Sequence, residues 1–132
     1  MGVKELTKRL GPAIRNVNIN VSCKDQRVGV DAAVWLHEFS IGCADQVVRR
    51  QEYSGVVARF CARVAYLHSI GIVPVIVFDG AACPAKAGTD AARARKRAEA
   101  YARVESADEL AGPCSATDVR AAISVTWDMK SN

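Results

Sequence analysis

The spacing of apolar positions changes several times along this chain, and each change marks an element. Val3 to Leu10 has the spacing of a short amphipathic helix, stopped by Gly11-Pro12. From Ile14 to Val21 apolar and polar residues alternate, with Val17, Ile19 and Val21 in phase, which predicts a short edge strand. Val28-Gly29-Val30-Asp31 is a short apolar run ending in a carboxylate and reads as a buried strand. Val34, Trp35, Leu36, Phe39, Ile41 and Val47 then form a broad apolar stripe, predicting one helix from about Ala32 to Arg49. A second helix, from about Tyr53 to Ser69, carries Val56, Val57, Phe60, Val64 and Leu67 at three- and four-residue steps, and Gly71 stands where a C-cap glycine belongs.

The run Ile72-Val73-Pro74-Val75-Ile76-Val77-Phe78-Asp79 is the strongest strand signal. Its unbroken apolarity implies burial on both faces, as in a parallel sheet. The strand near Val28, the two helices and this strand make one crossover, which should be right-handed. Residues 81 to 89 read as loop, with Pro84 and Gly88. Asp90 to Glu105 is rich in Ala, Arg and Lys and poor in large apolar residues, so a helix is expected there, exposed or crossing solvent. Gly112-Pro113 breaks it, and Ser115 to Met129 reads as a last helix with Val119, Ile123 and Trp127 at four-residue steps. The fold class is α/β.

Composition is that of one globular domain: 132 residues, 50% hydrophobic, 24% charged and only 6% aromatic. Ala and Val supply much of the apolar count, so the core should be built from small and β-branched side chains. Net charge is +4, and it is unevenly placed. Between Lys86 and Arg103 six basic residues face only Asp90 and Glu99, whereas the region from Val104 onward is mostly acidic. Such a local excess favours a polyanionic partner. The five cysteines are odd in number, and no two stand at C-x-x-C spacing, so a zinc knuckle or disulfide framework is not expected and a reducing compartment is. Cys43 and Cys61 read as small buried hydrophobes. No run approaches the roughly 20 apolar residues of a membrane span, and residues 1 to 6 have no apolar signal core.

Asp31 and Asp79 each end a strand of the expected parallel pair, the rim where open α/β sheets bind ligands. Neighbouring strands lie about 5 Å apart, so the carboxylates would converge and repel unless a cation or protons compensate. Mg²⁺ or Mn²⁺ suits oxygen ligands. Asp31 as a helix N-cap and Asp79-Gly80 as a plain turn are the alternatives. Arg93 and Arg97 share a helix face, with Arg95 and Lys96 pointing elsewhere. Such an array can bind phosphates or simply be a solvated face. His37, six residues past Asp31, reads as a surface residue.

Four segments together resemble the XPG N-terminal domain of the structure-specific 5′ nucleases. They are Met1-Gly2-Val3 with Leu6; Val28-Gly29-Val30-Asp31-Ala32 with Trp35-Leu36-His37; Cys43-Ala44; and Gly71-Ile72-x-Pro74 through Val77-Phe78-Asp79-Gly80 to Pro84-x-Lys86 and the Arg cluster. Trp-Leu-His and Cys-Ala are most like the exonuclease-one, mismatch-repair branch. Val125-Thr126 with Met129 resembles the family's segment after the arch. Glu5 departs from the family, which commonly has Gly there.

The resemblance implies a PIN-like fold, a parallel sheet flanked by helices, with a helical arch over about residues 81–114. Residues 1–132 would be the N-terminal portion, without the internal region. Asp31 and Asp79 would be metal-site carboxylates. Lys86 and Arg93 would hold the scissile phosphate and stabilise its developing charge. His37 would stack against DNA, Gly2 would lie near the active site, and Arg95, Lys96 and Arg97 would contact DNA. The activity implied is phosphodiester hydrolysis in DNA repair, at 5′ ends, nicks and flaps, in the nucleus, through a two-metal Mg²⁺ or Mn²⁺ site. Two such ions bring about four positive charges against two carboxylates, so these 132 residues are expected to bind metal weakly and cleave poorly or not at all. A non-catalytic DNA-binding or regulatory remnant and a PIN-like ribonuclease are the alternatives.

Overall fold

A computed structural model describes residues 5–80, 84–110 and 114–124. The sheet has two strands, β1 (Arg27–Asp31) and β2 (Val73–Val77), paired in parallel with Asp31 opposite Val77. Between them run α3 (Ala32–Gly42), α4 (Ala44–Arg49) and α5 (Ser54–Ser69). Before β1 come two four-residue helices, α1 (Leu6–Arg9) and α2 (Ile19–Ser22). After β2 a 3-10 turn (Pro84–Lys86) leads into the long α6 (Ala87–Glu109), followed by α7 (Ala116–Ala122). The α/β class and the parallel strand–helix–strand unit are as expected.

The junctions follow local chemistry. Asp31 is the N-cap of α3: its Oδ1 accepts from the Ala33 and Val34 amides at 2.9 and 3.3 Å. Helix α5 ends in a Schellman arrangement, with Gly71 N–H donating to His68 and Ile72 N–H to Leu67. Gly71 sits at φ +79°, a conformation that costs glycine least. Ile72, fully buried, then anchors the start of β2 against Val30 and Leu67.

Several expectations are corrected. Residues 14–21 form no strand. The Asn18 side chain accepts from Asn20 N–H and starts α2, and Val17, Ile19 and Val21 remain exposed. The helix expected over 32–49 is two helices, because Cys43 leaves helical geometry at ψ 26°. Beside that break the Arg59 guanidinium comes within 2.6 Å of where a Gly42 Cβ would stand. Strand β2 is not buried on both faces: Val73 and Val77 are exposed, since the sheet is only two strands wide among the described residues. Cys43 is half-buried and Cys61 exposed, so neither is the fully buried hydrophobe expected. The last helix stops at Ala122, where Ile123 turns extended. Its expected continuation to Met129, Gly112-Pro113 and Val125-Thr126 lie outside the described residues.

The core is three small clusters of mostly Val, Ala, Ile and Leu, as the composition predicted. Leu36, Phe39, Val47 and Val56 join α3 and α4 to α5. Trp35, Phe39 and Phe60 meet there edge to face or tilted, with centroids 5.5 to 6.4 Å apart. The third cluster is the one that bears on function. Ala100 and Val104 of α6 pack on Val48, Val119, Ala122 and Ile123. Arg103 donates to Asp118 of α7 at 2.8 Å, and Arg49 of α4 bridges Asp45 and Asp108. The C-terminal half of α6 is therefore docked, and its N-terminal half, with the basic residues, carries mostly exposed side chains.

Candidate functional site

Asp31 and Asp79 both lie toward the C-terminal rim of the sheet. Asp31 ends β1 itself, and Asp79 stands two residues past Val77, its register partner. Among the described residues the two side chains border different hollows. Asp31 opens on an apolar groove of about 310 Å³ walled by Val28, Val30, Trp35 and Ile72. Asp79 opens on a wide cleft of about 520 Å³ that it shares with His37, Arg93, Lys96, Arg97 and Arg120.

This second cleft gathers residues from four parts of the chain. His37 comes from α3, Asp79 from the segment after β2, Arg93, Lys96 and Arg97 from α6, and Arg120 from α7. Docking of the lower half of α6 on α7 brings Arg120 to the same cleft as the arginines of α6. Four cationic side chains thus line one hollow with a single carboxylate. Among the described residues, none of the four makes an ion pair or a side-chain hydrogen bond, and neither does Asp79. Like charges spaced as Arg93 and Arg97 are cost a helix about 0.2–0.5 kcal/mol per pair. An uncompensated cluster of this kind suits a ligand with several negative oxygens.

The helix faces differ from expectation in one respect. Lys96 lines the cleft together with Arg93 and Arg97 instead of pointing elsewhere, because a wide cleft admits more than one row of a helix. Arg95 does point away, toward Glu99 at 3.5 Å. Arg103, counted in the basic stretch, is held by Asp118 and is not a free cation. Arg120 was missed in the sequence. It is a single arginine two residues past Asp118 in a mostly acidic region, and no local signal marks it; only the packing of α7 on α6 does. His37 is exposed, as expected, and its side chain borders the cleft. The backbone of Lys86 closes the 3-10 turn before α6; its side chain, and Gly2, lie outside what is described.

The donor set can be tested against a divalent cation. Carboxylate oxygens are the right donors for Mg²⁺, and the two N-cap bonds of Asp31 both fall on Oδ1. Among the described residues, however, no three His, Cys, Asp or Glu side chains cluster as a metal cage. Asp31 and Asp79 have the chemistry to contribute to a metal centre and are too few to complete one.

Comparison with known proteins places the chain in a family. The family model for the XPG N-terminal domain matches residues 1–100. Exodeoxyribonuclease 1 of Schizosaccharomyces pombe is 32% identical over 101 residues, which is 76% of this chain and 18% of that protein. Exonuclease 1 of Drosophila melanogaster is 31% identical over 131 residues, 98% of this chain and 18% of the relative. The DNA repair protein RAD2 of Saccharomyces cerevisiae is 35% identical over 83 residues, 61% of this chain and 8% of the relative. The matches thus span a small fraction of these relatives' own length. The XPG N-terminal domain is PIN-like, in keeping with a parallel strand pair flanked by helices. With three quarters of its length covered by the match to residues 1–100, this chain belongs to the XPG N-terminal domain family.

Proposed function

We propose that this chain is the N-terminal part of a metal-dependent 5′ nuclease that hydrolyses DNA phosphodiesters in repair, acting at 5′ ends, nicks and flaps in the nucleus. One observation carries the reading: four cations that make no ion pair among the described residues share a cleft with a carboxylate toward the ligand-binding rim of a parallel sheet. The names of the relatives, exonucleases and a DNA repair protein, support it.

In this reading Arg93, Lys96, Arg97 and Arg120 hold successive phosphates. Lys86, at the foot of α6, joins Arg93 on the scissile phosphate. Cations fixed in advance stabilise negative charge that grows on the phosphate oxygens without reorganising. His37 offers a ring at the cleft edge on which a base can stack, and Gly2 lies close to the reacting phosphate. Residues 81–114 form the arch segment. Asp31 and Asp79 supply two oxygen ligands to Mg²⁺ or Mn²⁺, whose chemistry when bound is to activate water and neutralise the leaving oxygen. Two divalent ions need more negative charge than this pair provides, and the family's further carboxylates belong to its internal region.

A competition experiment tests the proposal. The 132-residue polypeptide is expected to bind 5′-flapped and nicked DNA in preference to single-stranded RNA of equal phosphate count. With Mg²⁺ it is expected to turn over neither at more than a trace rate. A preference for the RNA would replace this reading by that of a PIN-like ribonuclease. Robust DNA cleavage abolished by Asp31→Ala would show that two carboxylates suffice after all.

A further inference from the structure

Behind the cationic cleft lies a second hollow of about 250 Å³, and Ser124 lines both. The end of α7 is the ridge between them: Ala121 faces the cleft and Ala122 the hollow. The hollow differs sharply in chemistry from its neighbour. Among the described residues no Asp, Glu, Lys, Arg or His lines it. Tyr53 and Tyr101 line it together with Val47 and Val48, and Gln51 and Ser124 are its polar lining residues.

We propose that this hollow receives one unpaired nucleobase of the strand whose phosphates lie in the cationic cleft. The inference rests on the DNA-binding reading of that cleft and names a subsite beside it. Its volume equals about eight waters at about 30 Å³ each, room for a flat ring system but not for a whole stretch of strand. Val47 and Val48 are buried in two different core clusters, and Tyr53 packs against one of them, so that side of the hollow is preformed. Tyr101 is 40% exposed, which leaves its ring available as a stacking platform. Gln51 sits at φ +51°, a strained conformation for a side chain other than glycine, and the neighbouring Glu52 amide is tied to the Gln46 carbonyl at 3.1 Å. Such strain collects at ligand clamps. An amide and a hydroxyl at the edge of an aromatic-walled pocket match the donors and acceptors along the rim of a base. Stacking is tolerant of base identity, so the subsite should read the presence of a base and not its sequence.

The probe is a nicked duplex with a short 5′ single-stranded extension. One version carries thymine throughout the extension and the other carries abasic sites. Binding is followed by fluorescence anisotropy in EDTA at fixed salt. The wild-type chain should bind the thymine version roughly tenfold more tightly, the range for losing one stacked base. Tyr101→Ala should erase that preference while both probes keep the same salt dependence, and Tyr101→Phe should retain it. Circular dichroism confirms that each variant is folded. Equal binding of the two probes by wild type, or a preference that survives Tyr101→Ala, overturns the subsite and leaves the cleft standing. If neither probe binds, or the triple variant Arg93→Ala/Arg97→Ala/Arg120→Ala binds both as wild type does, the cleft reading fails and the subsite with it.

Discussion

Replacing Arg120 by alanine should remove one phosphate contact that the sequence alone conceals, and the size of the effect can be worked from the cleft. Four cationic side chains line it. If each neutralises one phosphate, counterion release gives a slope of log affinity against log salt of about −3.6 for duplex DNA and about −2.8 for a single strand. Between 50 and 200 mM salt the duplex affinity should then fall about 150-fold. Arg120→Ala should make the duplex slope shallower by about 0.9 and weaken binding to every sequence alike. Arg95→Ala supplies the control. That residue pairs with Glu99 outside the cleft and should leave the slope nearly unchanged. The assay is anisotropy of a labelled nicked duplex across a salt series, without divalent metal. A slope that Arg95→Ala reduces as much as Arg120→Ala does would mean the helix binds as a diffuse basic surface, and the cleft would lose its meaning.

Three further outcomes follow from the packing. Val104 is buried where α6 docks on α7, so Val104→Ala should cost about 2 kcal/mol in urea denaturation; a loss below about 0.5 kcal/mol would mean that α6 is not held there. Gly71→Ala places a Cβ at ordinary contact distance from Asp25, leaving only the left-handed backbone to penalise it, and should cost about 1 kcal/mol by the same measure. The hydrogen bonds from the Arg63 guanidinium hold the Glu38 carboxyl below its usual range. A depressed folded-state pKa means stability that is present above the unfolded-state value and lost as pH falls through the folded one. The melting-temperature gap between wild type and Glu38→Gln should therefore be constant near neutral pH and close as acid titrates Glu38; a gap that widens in acid would contradict the pairing.

The elements with strong local signals were legible in the sequence. Residues 54–69 form a helix because their apolar positions recur on one face, and Gly71 ends it because the next backbone conformation is left-handed. Asp31 proved to be an N-cap, one of the two roles its position allowed. What failed depended on distant partners. The alternation over Val17, Ile19 and Val21 pairs with no strand among the described residues, and a local Asn18 cap starts a helix there instead. The Ala-rich helix runs longer than expected, to Glu109, because Val104 and Ala100 find Val119, Ala122 and Ile123 across a turn. The same contact brings Arg120 to the cleft, which no periodicity in its own short helix could reveal.

In the proposed function Asp31, at the end of β1, and Asp79, two residues past β2, act on one cation although they border different hollows among the described residues. Titration with Mn²⁺, followed by amide line broadening in NMR spectra, tests it most directly. The signals of residues 31–34 and 78–80 should broaden together at one Mn²⁺ concentration, and either Asp31→Asn or Asp79→Asn should abolish both sets. Broadening of the two sets at different concentrations, or survival of one set when the other carboxylate is removed, would show two unrelated acidic side chains and contradict the claim.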